Sequence, residues 1–307
     1  MKFQFILVLL TVFFSFSSKA FAADPDPKFY IFLAFGQSNM EGFPGIPAEE
    51  TNIDKLENRF QVLAAVDFPA LNRKKETWSP AVPPLCRPGC GMCPADYFGR
   101  TLVANLPKDI KVGIVNVSVA GCKIEMFEKD TYKTYASTAA SWMQNIVKQY
   151  DGNPYQRLID LGKLAQKDGV IKGILLHQGE SNSGDKQWPT KVKGVYDNII
   201  KDLDLKADKT PLLIGELTNG GGAAMIAEAA KVIPNSYVIS SKGCPTVPGN
   251  TIHFAPAGYR ILGTRYGEKM LDILGVPYKK SEPESADTPS GASATAPATA
   301  PTPTNGL

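Results

Sequence analysis

Residues 29–42 read FYIFLAFGQSNMEG, and the fold turns on how that stretch is parsed. Positions 30–35 carry no charge and make a short apolar run, the pattern of a strand buried on both faces. Gly36 then turns the chain out, and Gln37, Ser38 and Asn39 follow at once. A core strand therefore ends by presenting a hydroxyl between two amides.

Outward from that strand the same grammar repeats. Strand-like runs fall at 112–119 (VGIVNVSV), 170–176 (VIKGILL), 211–217 (PLLIGEL) and 237–240. Helix-like patterns lie between them at 96–105, 137–150, 154–167, 189–203, 223–232 and 256–274. The alternation predicts an α/β fold, a three-layer α/β/α sandwich around a mostly parallel sheet of about five strands. Residues 41–94 fit neither period and are rich in Pro, Asn and Cys. They read as a long excursion on the side of the sheet where Ser38 emerges.

The ends of the chain have other compositions. Lys2, an apolar run over 3–16 and Ala20-Phe21-Ala22 make residues 1–22 a secretory signal peptide with an A-x-A cleavage site. The run is short of the ~20 residues a membrane span needs, so the expectation is a secreted or periplasmic protein without a span. Residues 281–307 are Ser, Thr, Ala, Pro and Gly with few charges and no aromatic ring, a disordered tail or linker. Residues 23–280 remain as one large domain. The chain has 33 basic and 30 acidic side chains, two of the former inside the leader, so no basic stripe points to nucleic acid or anionic lipid.

Five cysteines complete the inventory. Cys86, Cys90 and Cys93 have the C-x-x-x-C-x-x-C spacing of an iron–sulfur loop, and could equally contribute to a zinc site. Export argues against an oxygen-sensitive cluster and favours disulfides, at least one of them involving Cys86, Cys90 or Cys93. No metal and no other cofactor is expected.

In open parallel sheets ligands bind beyond the carboxyl ends of the strands. Those ends here carry Gln37-Ser38-Asn39, Ala120-Gly121-Cys122, and His177-Gln178-Gly179-Glu180. A serine at a strand-to-helix turn holds its hydroxyl proud of the backbone, near N–H groups that can face an oxyanion. It is a weak nucleophile until a base takes its proton, and the chain has two histidines, His177 and His253. On spacing alone Ser38 suits a helix N-cap equally well.

The blocks FLAFGQSNMEG, LLHQGESN and TIHFAPAGYR, in that order, resemble the SGNH-type esterases of carbohydrate esterase family 6 and the sialate O-acetylesterase-like domains. Members share G-Q-S-N-M, H-Q-G-E and a late D-x-x-H-F before the final helix. The likeness spans most of residues 28–274. It implies a flavodoxin-like sandwich and metal-free removal of acetyl groups from sugars, with an acetylated poly- or oligosaccharide as partner. Carried over by position, Ser38 is the nucleophile and His253 the general base. The N–H groups of Ser38 and Gly121, with the Gln178 side chain, form the oxyanion hole. His177 would be bonded to backbone behind the site.

Two departures stand out. Cys122 replaces a usual second glycine, which suggests a disulfide to Cys244 beside the histidine loop. Asn250 stands where the family has its aspartate, and an amide cannot supply charge to an imidazolium. The resemblance offers Glu180 as the triad acid instead; the other reading makes Glu180 structural and Ser38–His253 a dyad. Phe43, Gly45 and residues 52–78 are expected to shape the sugar-facing rim. The resulting expectation is a secreted serine esterase of acetylated glycans, xylan first and O-acetyl sialic acid next, against the rival of a non-catalytic glycan-binding module.

Overall fold

The computed structural model describes residues 24–43, 45–51 and 58–280. The expected leader (1–22) and tail (281–307) lie outside the described residues, as do residues 52–57 of the excursion.

Seven strands form one sheet: β1 (Phe29–Gly36), β2 (Phe60–Leu63), β3 (Trp78–Pro80), β4 (Lys111–Ser118), β5 (Val170–His177), β6 (Leu212–Gly215) and β7 (Ser236–Ile239). Their order is β3-β2-β4-β1-β5-β6-β7. Among the described residues, the β2–β3 pair is the one antiparallel pairing of this sheet. The five strands expected from the sequence are β4-β1-β5-β6-β7, which is the flavodoxin-like order 2-1-3-4-5. The two extra strands correct the reading of residues 41–94 as irregular. β2 extends the parallel sheet beyond β4, and β3 folds back on it as an antiparallel edge. Pro80 ends β3 at the sheet margin, where a missing N–H is tolerated.

Strand β1 is covered on both faces. Ile31, Leu33 and Phe35 enter one apolar cluster while Phe32 and Ala34 enter the other. This alternation is the period-2 geometry of a strand, and it places the two helical layers. On the first face lie α4 (Ser141–Gln149), α5 (Pro154–Ala165), α6 (Trp188–Asp202) and α7 (Ala223–Val232). On the second lie α2 (Pro94–Asn105) and α8 (Pro256–Leu274). The last two approach closely because α8 carries glycines at the contact. A Cβ on Gly263 would lie 2.4 Å from the Pro94 carbonyl oxygen. The helix expected over 137–150 is two helices, α3 (Tyr132–Thr138) and α4, broken at Ala139 and Ala140.

The cysteines fill this core rather than cross-link it. All five are free thiols and buried, each packing as a small hydrophobe. The structure thus holds neither the expected disulfide involving Cys86, Cys90 or Cys93 nor the Cys122–Cys244 link. That second link is barred by topology, because Cys122 belongs to the cluster on one face of the sheet and Cys244 to the other. Among the described residues no group of three or more His, Cys, Asp or Glu side chains is gathered to hold a metal ion. No helix among them is long and apolar enough to cross a membrane.

Candidate active site

The order of the sheet decides where the polar ends meet. β2, β3 and β4 all lie on one side of β1, and the chain then passes to β5 on the other, so the switch point lies at the carboxyl end of β1. Gly36 ends β1 with φ +155°, and a Cβ there would lie 2.1 Å from the His177 carbonyl oxygen. Only glycine permits that turn. It leads directly into α1 (Ser38–Glu41), a single turn.

Ser38 Oγ stands 2.9 Å from His253 Nε2, across 215 residues of sequence. Phe43 stacks on a face of this imidazole, ring centroids 4.3 Å apart and planes 25° from parallel. Phe43 thus lies at the site as expected. Trp78 does not: it packs on Phe29 and donates to Asp168, at the opposite end of the sheet.

The loop that carries His253 is clamped to the nucleophile turn by Asn39, which is fully buried. Asn39 Nδ2 donates to Glu180 Oε1 (2.7 Å) and to the Ile252 carbonyl (2.9 Å). Its Oδ1 accepts from the Phe254 N–H (3.2 Å) and the Tyr259 hydroxyl (3.0 Å). One amide therefore joins α1, the β5 end and both flanks of the histidine.

The other side of α1 is held by a carboxylate. Glu41 Oε1 accepts from Arg87 Nε (2.9 Å), from a terminal Arg87 nitrogen (2.7 Å) and from the Ala120 N–H (3.2 Å). Gly121, next in the chain, gives its carbonyl to Ser181 Oγ (2.8 Å). The Ala120–Gly121 segment is thereby fixed between the nucleophile helix and the β5 end, where the oxyanion donor was expected.

The contacts bear on the roles expected of Gln178 and Glu180. Gln178 is completely buried, and its Nε2 faces three acceptors: Asn182 Oδ1 (2.7 Å), the Cys122 carbonyl (3.1 Å) and Gln37 Oε1 (3.2 Å). Trp188 Nε1 donates to its Oε1. An amide nitrogen has two hydrogens, so none is left for an oxyanion, and Gln178 instead ties three loops together.

Glu180 does not touch His253. Its Oε1 serves Asn39 and lies 3.7 Å from His177 Nδ1. The Nδ1 of His253 is met by Asn250 Nδ2 at 2.9 Å. Glu180 reaches His253 only through space. Burial lowers the His253 pKa from the ordinary imidazole value, and the Glu180 charge pulls it back up.

His177 is sealed in the core, as expected for a residue behind the site. Its Nε2 meets the Glu216 carbonyl at 3.0 Å, and burial lowers its pKa against the pull of the Glu180 charge. Gln37, Asn39, Glu41 and Arg87 went unsingled in the sequence as site residues. The signal was present for the first two, which flank Ser38.

The family model described as carbohydrate esterase, sialic acid-specific acetylesterase, matches residues 28–272. The chain belongs to that family of carbohydrate esterases. This esterase-family chain is 25% identical over 261 residues to a probable carbohydrate esterase of Arabidopsis thaliana, across 80% of its own length and 92% of the relative. The solved structure of that plant protein superposes with a TM-score of 0.60 at 22% identity, covering 80% of this chain and 99% of that one. NanS gives 0.58 at 18% identity over 82% and 99% of the two chains. A carbohydrate acetylesterase from Xanthomonas citri gives 0.51 at 19% identity, over 79% of this chain and 56% of its own. At these identities the superpositions speak for the fold.

Proposed function

We propose that this protein is an exported serine O-acetylesterase that removes acetyl groups from glycans, acetylated xylan foremost. The observation that carries the reading is the 2.9 Å pairing of Ser38 Oγ with His253 Nε2 at the switch point of the sheet. Ser38 Oγ attacks the acetyl carbonyl while His253 Nε2 takes its proton and passes it to the departing sugar oxygen. Water then attacks the acetyl-Ser38 ester, His253 Nε2 accepting the proton and returning it to Ser38 Oγ as acetate leaves. The N–H groups of Ser38 and Gly121 receive the oxyanion; one such donor is worth ~10²–10³ in rate. Glu180 supplies negative charge to the imidazolium through space.

A sugar surface suits what borders this pair. Trp142 is 51% exposed and Ile252 is 52% exposed. The Trp142 indole lies against Gly121, whose added Cβ would come within 2.8 Å of the ring. An exposed aromatic beside the acyl site offers a face on which a pyranose ring can stack. Arg87, the cation tied to the nucleophile turn, has a side chain 14% exposed and is paired with Glu41. That pairing favours a neutral sugar over a sialic acid carboxylate. The family description points the other way, to O-acetyl sialic acid, which is the second substrate class.

A panel of acetylated xylan, acetylated cello-oligosaccharides and O-acetyl sialic acid, assayed for released acetate, tests the proposal. Fastest release from xylan supports it, and fastest release from the sialate selects the second class. Binding of these glycans without release of acetate would make the protein a non-catalytic module and overturn the reading.

A further inference from the structure

The side chain that replaces the family's aspartate does more than lack a charge. Asn250 Oδ1 accepts two backbone N–H groups, from Ile252 (3.0 Å) and from His253 (3.2 Å). Turning the amide over would set its NH₂ against both donors, so the orientation is fixed by the loop. The group left to face the imidazole is then the NH₂, 2.9 Å from His253 Nδ1. An NH₂ only donates, so Nδ1 must be the bare, accepting nitrogen. In a neutral imidazole the proton then sits on Nε2, which faces Ser38 Oγ.

We infer that Asn250 is a positioning residue that holds the resting His253 in the tautomer opposed to catalysis, with Nε2–H donating to Ser38 Oγ. This inference rests on the proposed esterase function and adds a brake to it. Ser38 can lose its proton only to an unprotonated Nε2. The reactive tautomer requires that Nε2 release its proton to water and that Nδ1 take one. Nδ1–H would then point at an amide NH₂, unless the amide turns and abandons the Ile252 and His253 N–H groups. Turnover therefore draws on a minor population. An aspartate at the same place keeps both backbone bonds through one oxygen and accepts Nδ1–H with the other. The difference between these two side chains behind a serine–histidine pair is ~10⁴ in kcat.

The test uses the full mature chain and two readouts. The chain has two histidines, His177 and His253, so ¹⁵N spectra of the imidazoles are simple, and His177→Asn assigns them. At about pH 8, where both rings are neutral, wild-type His253 is expected with its proton on Nε2. In Asn250→Asp the proton moves to Nδ1, and kcat for acetate release rises by about a hundredfold or more. Asn250→Ala, which removes the donor without adding charge, should leave a mixture of tautomers and a smaller rise. A wild-type His253 protonated on Nδ1 overturns the inference. So does an Asn250→Asp variant with the wild-type tautomer or the wild-type kcat. If neither wild type nor Asn250→Asp cleaves any ester, the esterase reading fails, while the spectra still decide the tautomer.

Discussion

Replacing Asn39 by alanine should cost this protein both stability and turnover, and the size of each loss follows from four hydrogen bonds. Three join neutral partners: the Ile252 carbonyl, the Phe254 N–H and the Tyr259 hydroxyl. The fourth goes to the Glu180 carboxylate. Neutral bonds contribute about 1 kcal/mol each and one to a charged group about 2 kcal/mol. Because all four hang on one side chain, their losses are not independent, and about 3 kcal/mol is the expected destabilisation. The loop holding His253 is also released from α1, and a shift of an ångström at a reacting pair can cost ~10² in rate. Urea unfolding at constant m-value gives the first number, and hydrolysis at saturating substrate gives the second. A variant within about 0.5 kcal/mol of wild type that keeps its kcat would show that Asn39 is not the clamp, and the account of how the site is assembled would fall.

The pH dependence follows from the His253 environment. The base works when neutral, and burial lowers its pKa, so the acid limb of kcat/KM should fall below the ordinary imidazole value of about 6.5. A limb above that value would contradict the burial. Glu180→Gln keeps shape and removes the charge that raises the His253 pKa; the limb should move lower and kcat drop by roughly ten- to a hundredfold, the effect of one nearby charge. An unchanged limb would remove Glu180 from the electrostatics. Trp142→Ala should raise KM for acetylated oligosaccharides several-fold while leaving hydrolysis of a small aryl acetate unaltered, since the small ester has no sugar ring to stack. Equal loss on both substrates would assign the indole to the support of Gly121 alone.

How much of this the chain announces in advance depends on whether a residue acts through its neighbours in sequence or in space. Strands β1, β4 and β5 are mostly apolar runs because both faces are largely covered, and they are legible for that reason. β2 has four residues and β3 has three with a proline at its end, too little for either period to register. The break between α3 and α4 falls at Ala139 and Ala140, which carry no helix-stopping signal. Ser38 and His253 were visible because their chemistry is scarce: two histidines allow few pairings. The roles of Gln178 and Glu180 are not legible, for the opposite reason. Their side chains could donate or titrate anywhere. It is Asn182, the Cys122 carbonyl and Gln37 that saturate the first, and Asn39 that takes the second. The consequence of Asn250 likewise depends on which of its atoms meets the imidazole, and the Ile252 and His253 N–H groups decide that.

The central claim is that Ser38 is the nucleophile of an O-acetylesterase. The most direct measurement is acetate released from acetylated xylan by the protein, compared with Ser38→Ala, with circular dichroism confirming that both are folded. The account predicts release by the wild type and background release by the variant. Adding His253→Ala to Ser38→Ala should cost nothing more, since the two side chains act as a unit. Acetate released by folded Ser38→Ala at the wild-type rate would contradict the account.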